Sequence, residues 1–341
     1  MLSALACSVS AQDWFTYDAC QVDTVALHDT AVAPANLDAL ITDGAALPNG
    51  VGNFWRITST EGMVSHIWGT NHSNDPKLLD LPQSVRDAIA AARVVALETN
   101  FVFQSRTKME QVRSGLDILR EPGEDASEVY TEIDLRILAW LKARLDGIGW
   151  GADAVEWITP TGLAEILLND PCSDFASGTY PTQDSLIQTL GAIAGAKIMG
   201  LEPQDAFLEH LNKPENRGLA FDLINLYGAT LNPAAPDTAR ATSYALYLQG
   251  RNGAAMMWER SAAQAFFGHN IGPALVDRVD AYLLVERNRQ FLEAALPELS
   301  QGGLFMAIGS WHLPTETGMI AVLRDAGFKV DRIPTPKEVA Q

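Results

Sequence analysis

Six short apolar runs limit what this chain can fold into: FWRITS (54–59), MVSHIWG (63–69), ARVVALE (92–98), AKIMGLE (196–202), GGLFMAIG (302–309) and FKVDRI (328–333). Each has the length of a strand, and the segments between them carry apolar residues at helical spacing. The first two runs flank Glu61-Gly62 and read as a β-hairpin. QSVRDAIAAA (83–92) is a helix by composition and period, with Pro82 where a helix start tolerates it. Strand, helix, strand is the order of a parallel α/β unit. The expected fold class is therefore α/β: a central, mostly parallel sheet with an N-terminal hairpin and large helical insertions, in a single domain.

The insertions fall at about 104–195 and 204–300. EIDLRILAWLKARL (132–145) gathers Ile133, Leu135, Ile137, Leu138, Leu141 and Leu145 mostly on one helical face, and TGLAEILLND (161–170) opens with Thr161 as its cap. DSLIQTLGAIAGA (184–196) and the long amphipathic stretch ALVDRVDAYLLVERNRQFLEAALPEL (274–299) are helical, as is TGMIAVLRDAGF (317–328). Residues 12–50 show no clear period and read as a loop-like N-terminal arm against a main body of 51–341. No tandem repeat or low-complexity tract interrupts the chain.

The formal charge is −18, from 42 acidic and 24 basic residues. A surface of that sign repels phosphate backbones and anionic lipid, so nucleic acid is not an expected partner. No run of about 18 apolar residues exists to span a bilayer as a helix. MLSALACSVSAQDW is short and rich in small residues, and Val9-Ser10-Ala11 before Gln12 resembles an export cleavage site without the basic leader of a full signal. Residues 1–11 are thus expected to be the remnant of an export signal, and the protein to be periplasmic or extracellular. Lipidation at Cys7 in Ala4-Leu5-Ala6-Cys7 is the alternative, a lipid anchor. Removal of the leader leaves Cys20 and Cys172, which in an exported protein pair more often than not.

Four of the strand runs end in a histidine or a glutamate. HIWGTNH delivers His72, VVALE Glu98, IMGLE Glu202, and FMAIGSWH His312. In open α/β sheets the functional crevice lies beyond the carboxyl ends of the strands. If these strands are parallel and adjacent, the four side chains converge, and two imidazoles with carboxylates form a ligand set for Zn²⁺, Mn²⁺ or Fe²⁺. Both histidines follow a Gly-x-x-His pattern, Gly69–His72 and Gly309–His312, in which glycine would let the chain turn sharply off the strand. Glu202 has a second reading, because Glu202-Pro203 can open a helix whose N-terminus favours an acid. His66 lies inside a strand, and His28, His210 and His269 have no companion ligand nearby in sequence. Trp68 and Trp311 flank the two motifs as candidate walls of the cleft. The long helix carries Glu286-Arg287-Asn288-Arg289, either a solvated face or the source of an arginine for a substrate carbonyl, carboxylate or oxyanion.

Other chemistries are excluded by the motifs they need. There is no Gly-x-Ser-x-Gly elbow, P-loop, Gly-x-Gly-x-x-Gly or His-Glu-x-x-His, and no Cys-x-x-Cys.

FWRITSTEGMVSHIWGTNHSND, LPQSVRDAIAAARVVALETN, GLEPQ, ERNRQF and FMAIGSWHLPTETGMIAVLRDAGFKVDRI together resemble the TraB/GumN family, which includes the Tiki metalloproteases. The resemblance covers most of 54–333. Its hallmarks are two Gly-x-x-His motifs and a strand-terminal Glu, matched by Gly69–His72, Gly309–His312 and Glu98. It implies a metal-dependent hydrolase or protease, related in fold to erythromycin-esterase-like and ChaN-like proteins and activated by Mn²⁺ or Co²⁺. It also implies metal or catalytic positions at His72, Glu98 and His312, and a substrate- or transition-state-contacting arginine at Arg287.

The expected function is a metallohydrolase, a peptidase using water activated by Mn, Co or Zn, acting on a peptide or small-molecule substrate. His72, His312 and a carboxylate would hold the metal, and whichever of Glu98 and Glu202 is not a ligand would be general base. Two rivals remain at this level: a non-catalytic peptide- or small-ligand-binding protein, and a metal-independent esterase with His72 as general base.

Overall fold

The structure, a computed structural model, describes residues 36–73, 75–99, 118–147, 150–168, 182–203, 205–232 and 236–338. The export remnant, Cys7, Cys20, His28 and Cys172 lie outside the described residues, as does 104–117 of the first insertion.

All six expected strands form: β1 (Phe54–Thr58), β2 (Val64–Thr70), β3 (Val94–Leu97), β4 (Lys197–Gly200), β5 (Leu304–Gly309) and β6 (Lys329–Arg332). They make one sheet in the order β4-β3-β5-β2-β1-β6. β4, β3, β5 and β2 run parallel, and β1 is antiparallel to both of its neighbours. The hairpin turns at Ser59–Met63, where the Gly62 amide bonds to the Ser59 carbonyl.

Helices cover both faces, as a parallel sheet requires. In chain order they are α1 (Leu37–Ala46), α2 (Gln83–Ala90), α3 (Leu135–Gly147), α4 (Pro160–Leu168), α5 (Gln183–Ile193), α6 (Ala206–Leu211), α7 (Arg217–Gly228), α8 (Pro236–Leu248), α9 (Asn252–Phe267), α10 (Gly272–Asp280), α11 (Arg287–Gln301) and α12 (Met319–Asp325), with single turns between some of them. The central strand β5 is buried along its whole length, and its side chains alternate. Leu304, Met306 and Ile308 join the cluster under α11 and α12, with Phe291, Leu299 and Ile320. Phe305 and Ala307 join the opposite cluster under α2, α5 and α8, with Val85, Ile187 and Tyr247. The remaining helices pack mainly on one another through Ile137, Leu141, Leu163, Leu223 and Val279.

Three local expectations change. Within the arm taken as loop-like, residues 37–46 form α1, whose Leu37 and Ile41 pack against Leu246 and Ala254. Three buried positions in ten residues carry too little period to read from sequence, and the crossing depends on backbone contact: a Cβ at Gly44 would stand 2.2 Å from the Ala254 nitrogen. The cap of α4 is Thr159, not Thr161, since the Thr159 hydroxyl accepts the Gly162 amide. The long helix predicted over 274–299 is α10 and α11 joined by a π-helical stretch, Ala281–Glu286. Its first half packs in the helical cluster and its second half on the sheet, so the join lies where the two meet.

No helix among the described residues is long and apolar enough to cross a membrane.

Phe305 is fully buried at the centre of the sheet, its ring 6.5 Å from that of Phe54. Phe305→Ala is expected to destabilise the fold by about 3–5 kcal/mol, through lost transfer energy and the cavity left behind. Equilibrium denaturation checks this as a lower midpoint with an unchanged slope.

Candidate functional site

β2, β5, β3 and β4 end side by side, and the four residues singled out at their ends meet there. Glu98 follows β3, and Glu202 follows β4 with its amide still paired to the Glu98 carbonyl. His72 comes two residues after β2, and His312 closes a single 3₁₀ turn, Ser310–His312, after β5. Nε2 of His72 and Nε2 of His312 each stand 3.7 Å from the same atom, Glu98 Oε1.

Each imidazole is held from behind. His72 Nδ1 donates to Asp184 Oδ2 at 2.8 Å, and Asp184 Oδ1 accepts from the Thr70 hydroxyl at 2.7 Å. Asp184 thus grips two residues of the same strand end. Its neighbour Gln183 secures the intervening turn, its Oε1 accepting from the Asn71 amide and the Trp68 indole. His312 Nδ1 lies 2.8 Å from Asn288 Oδ1. The Asn288 amide nitrogen donates to the carbonyls of His312 and Thr317, which turns its oxygen to the ring. Nδ1 of His312 therefore carries the proton, and Nε2 presents a lone pair towards Glu98.

The arginine is Arg287, at the first position of α11. Its Nη2 donates to Glu98 Oε2 at 2.8 Å, and it grips Glu202 with both Nη2 (2.5 Å) and Nε (3.1 Å). Of the two readings of the Glu286–Arg289 stretch, the solvated face is wrong for Arg287, whose side chain is only 12% exposed. Phe291 lies under both Arg287 and His312, its ring centre 5.0 Å from the guanidinium carbon and 5.2 Å from the imidazole centre. Glu202 does not cap a helix; it is buried against Arg287.

The glycines of the two motifs serve close approach rather than a turn. Gly309 has φ −49°, ordinary for any residue, and Gly69 is not among the glycines with positive φ. A Cβ on Gly309 would stand 3.2 Å from Glu98 Oε1 and 3.3 Å from His72 Nε2, inside the site. One on Gly69 would strike Leu313 at 2.7 Å and the Ser310 backbone at 2.9 Å. The Gly309 amide also donates to Glu98 Oε1 at 2.6 Å.

The surroundings separate the titratable groups. Asp184 chiefly raises His72 to about 9. Burial drives His312 down to about 3, with Glu98 opposing. Burial also works against charge on Glu98, but Arg287 and the two imidazoles overcome it and hold that carboxyl below its usual range. Burial raises Glu202, with Arg287 opposing.

Two atoms bound to one ion at about 2.0–2.2 Å each stand at most about 4.4 Å apart. Both 3.7 Å separations lie within that span. Imidazole nitrogens oriented by second hydrogen bonds, with a carboxylate oxygen between them, suit a divalent transition ion in donor type. The groups are not closed into a cage: among the described residues, no group of three or more His, Cys, Asp or Glu could hold an ion as it stands. Glu98 has both oxygens engaged, by Gly309 and by Arg287.

The model of the TraB/PrgY/gumN family matches residues 53–332, most of the chain. The chain belongs to the TraB/PrgY/gumN family. No curated protein and no solved structure matches it.

In this TraB/PrgY/gumN protein, sequence reasoning missed Asp184 and Asn288. Asp184 reads as an acid in the first turn of a helix, a common choice for dipole reasons, and 112 positions separate it from His72. Asn288 stood within reach, next to Arg287 in the run already noted. His66 stacks on Phe54 and takes no part in the site. Trp68 is buried in the core rather than lining the cleft, and Trp311 packs beside the cluster of α1.

The His72–Asp184 pair has a consequence for stability. A histidine raised from 6.5 to about 9 binds its proton more tightly folded than unfolded. Its contribution is complete below about pH 6.5 and is lost as pH rises towards 9. The melting temperature of the metal-free protein is expected to fall across that window, and Asp184→Asn to flatten the fall. Thermal denaturation at a series of pH values checks this.

Proposed function

We propose that the chain is a metal-dependent hydrolase that cleaves peptides by way of an activated water. One observation carries the reading: two imidazoles, each fixed through Nδ1, turn their Nε2 atoms to one carboxylate oxygen at 3.7 Å. Membership of the TraB/PrgY/gumN family and the resemblance to the Tiki metalloproteases support peptides as the substrate class.

His72, His312 and Glu98 would hold the ion, Mn²⁺, Co²⁺ or Zn²⁺. Bound there, it supplies Lewis acidity and lowers the pKa of a water towards neutrality. The remaining steps belong to the chain. Glu202, whose pKa burial raises, takes the proton that the water loses as its oxygen adds to the scissile carbonyl carbon. The carbonyl's π pair moves onto its own oxygen, and Arg287 offsets the charge that forms. When the C–N bond breaks, Glu202 returns the proton to the leaving amine.

The hydrogen bond between His72 and Asp184 favours a second reading, an esterase in which His72 is general base without a metal. The two readings part on chelation.

Purified protein is expected to hydrolyse members of a fluorogenic peptide pool in added Mn²⁺, to lose that activity to a strong chelator and to recover it with fresh ion. His72→Ala and His312→Ala should each abolish the metal-dependent rate while leaving the circular dichroism spectrum unchanged. Hydrolysis that persists in chelator, or in His312→Ala, would favour the esterase instead.

A further inference from the structure

Among the described residues, Asn49 and Thr315 have positive φ without being glycine, at 58° and 77°. Asparagine visits the left-handed region readily. A β-branched residue stays there only when its surroundings hold it, and such angles gather at functional sites. Thr315 lies in the loop that leads from His312 to α12, beside the site.

Its contacts run without a break to the His312 ring. The Thr315 amide donates at 2.7 Å to the carbonyl of Pro48, on the chain between α1 and β1. The Thr315 carbonyl accepts the Gly318 amide at 3.3 Å, and a Cβ on Gly318 would overlap the Pro314 carbonyl, so the turn is tight. Inside it the Thr317 amide donates to the Thr315 hydroxyl at 3.3 Å. The Thr317 carbonyl is left facing Asn288, whose Nδ2 donates to it at 3.0 Å. The same Nδ2 donates to the His312 carbonyl at 3.3 Å. That second acceptor belongs to the residue being oriented and moves with it; the Thr317 carbonyl is a reference from outside. With Nδ2 so engaged, Asn288 Oδ1 meets His312 Nδ1 at 2.8 Å. A flipped Asn288 would set its oxygen against both carbonyls and an N–H against Nδ1, which would move the imidazole proton to Nε2.

We infer that Thr315 is a positioning residue for His312, acting through its backbone. The left-handed angle, pinned to Pro48, aims the Thr317 carbonyl at Asn288. Asn288 then keeps the His312 proton on Nδ1 and leaves the Nε2 lone pair free for an ion. The use of that lone pair rests on the hydrolase reading above; the choice of tautomer does not. Strain at residue 315 is thus the cost of a fixed acceptor for Asn288, in a loop that Asn288 and His312 alone could not hold still.

Thr315→Gly keeps the left-handed angle and removes its strain. Thr315→Pro fixes φ at about −65° and deletes the amide that meets Pro48. Gly318→Ala crowds the turn without touching residue 315. Long-range ¹H–¹⁵N spectra of the metal-free full chain at neutral pH read the tautomer, with the His312 signals assigned by their loss in His312→Ala. The parent and Thr315→Gly are expected to show the proton on Nδ1, with the melting temperature of Thr315→Gly no lower than the parent's. Thr315→Pro and Gly318→Ala should move part of the population to Nε2–H and bind Mn²⁺ about 10–100-fold more weakly by calorimetry, the usual loss when support behind a ligand is removed. His72, held by Asp184, is the internal reference, and its signals should stay in place. A parent with the proton on Nε2 overturns the inference, as does a parent-like tautomer in both loop variants. A lower melting temperature or a shifted tautomer in Thr315→Gly overturns it too, since the side chain would then be what holds the loop. Changes at His72 as large as those at His312 mean general loosening and also overturn it. Should Thr315→Pro not fold, Gly318→Ala and Thr315→Gly decide alone. If the parent neither binds Mn²⁺ nor hydrolyses the peptide pool, the hydrolase reading falls, while the tautomer of the metal-free chain still decides this inference.

Discussion

The ion triad of Arg287, Glu98 and Glu202 is the constraint on which the site depends. A guanidinium taken out of water is tolerated only when carboxylates meet it with good geometry. Here two do, from the ends of neighbouring strands, and Glu202 takes the fork in bidentate fashion. The triad joins β3, β4 and α11 at one point. It also fixes the second oxygen of Glu98, since the first is turned to the Gly309 amide. With that oxygen fixed, the point towards which both histidines aim is fixed as well.

From there the two glycines follow. Gly309 pairs with Thr70, and Gly69 with Ile308, so the motifs sit beside one another on adjacent parallel strands. A side chain on Gly309 would fill the space between Glu98 and His72, and one on Gly69 would push away the turn that carries His312. The repeated pattern is thus one spatial requirement met twice: strand ends must approach closely enough for their imidazoles to share a carboxylate.

The sheet was legible because its strands are short, apolar and bounded by turn residues, and in β5 buried on both faces. Their ends were legible because His and Glu are conspicuous at the close of apolar runs. The partners were not. Asp184 bonds to His72 across 112 positions and Asn288 to His312 across 24, and no local period encodes either contact. The π-helical stretch was hidden for a related reason. Apolar spacing over 274–299 reads as helix whichever hydrogen-bond register closes the turn. The register is set instead by the need to serve two cores and to aim Arg287 and Asn288, neighbours in sequence, at different targets in one site.

The two Gly-x-x-His motifs are alike in sequence and unlike in electrostatics, and the difference lies in what stands behind each ring and in how deeply each ring is buried. His72 has a carboxylate at Nδ1 and a side chain about half exposed (52%), so it favours the charged form. His312 has a neutral amide oxygen at Nδ1 and is buried, so it stays neutral, its Nε2 lone pair already aimed at Glu98. An ion entering between them would take His312 as it stands but would have to displace a proton from His72, because only the neutral ring binds metal. With that proton gone, Asp184 would change role: the carboxylate that stabilises imidazolium would make a metal-bound imidazole a stronger donor. His312 would supply a fixed, preformed ligand, and His72 the ligand whose binding is coupled to pH.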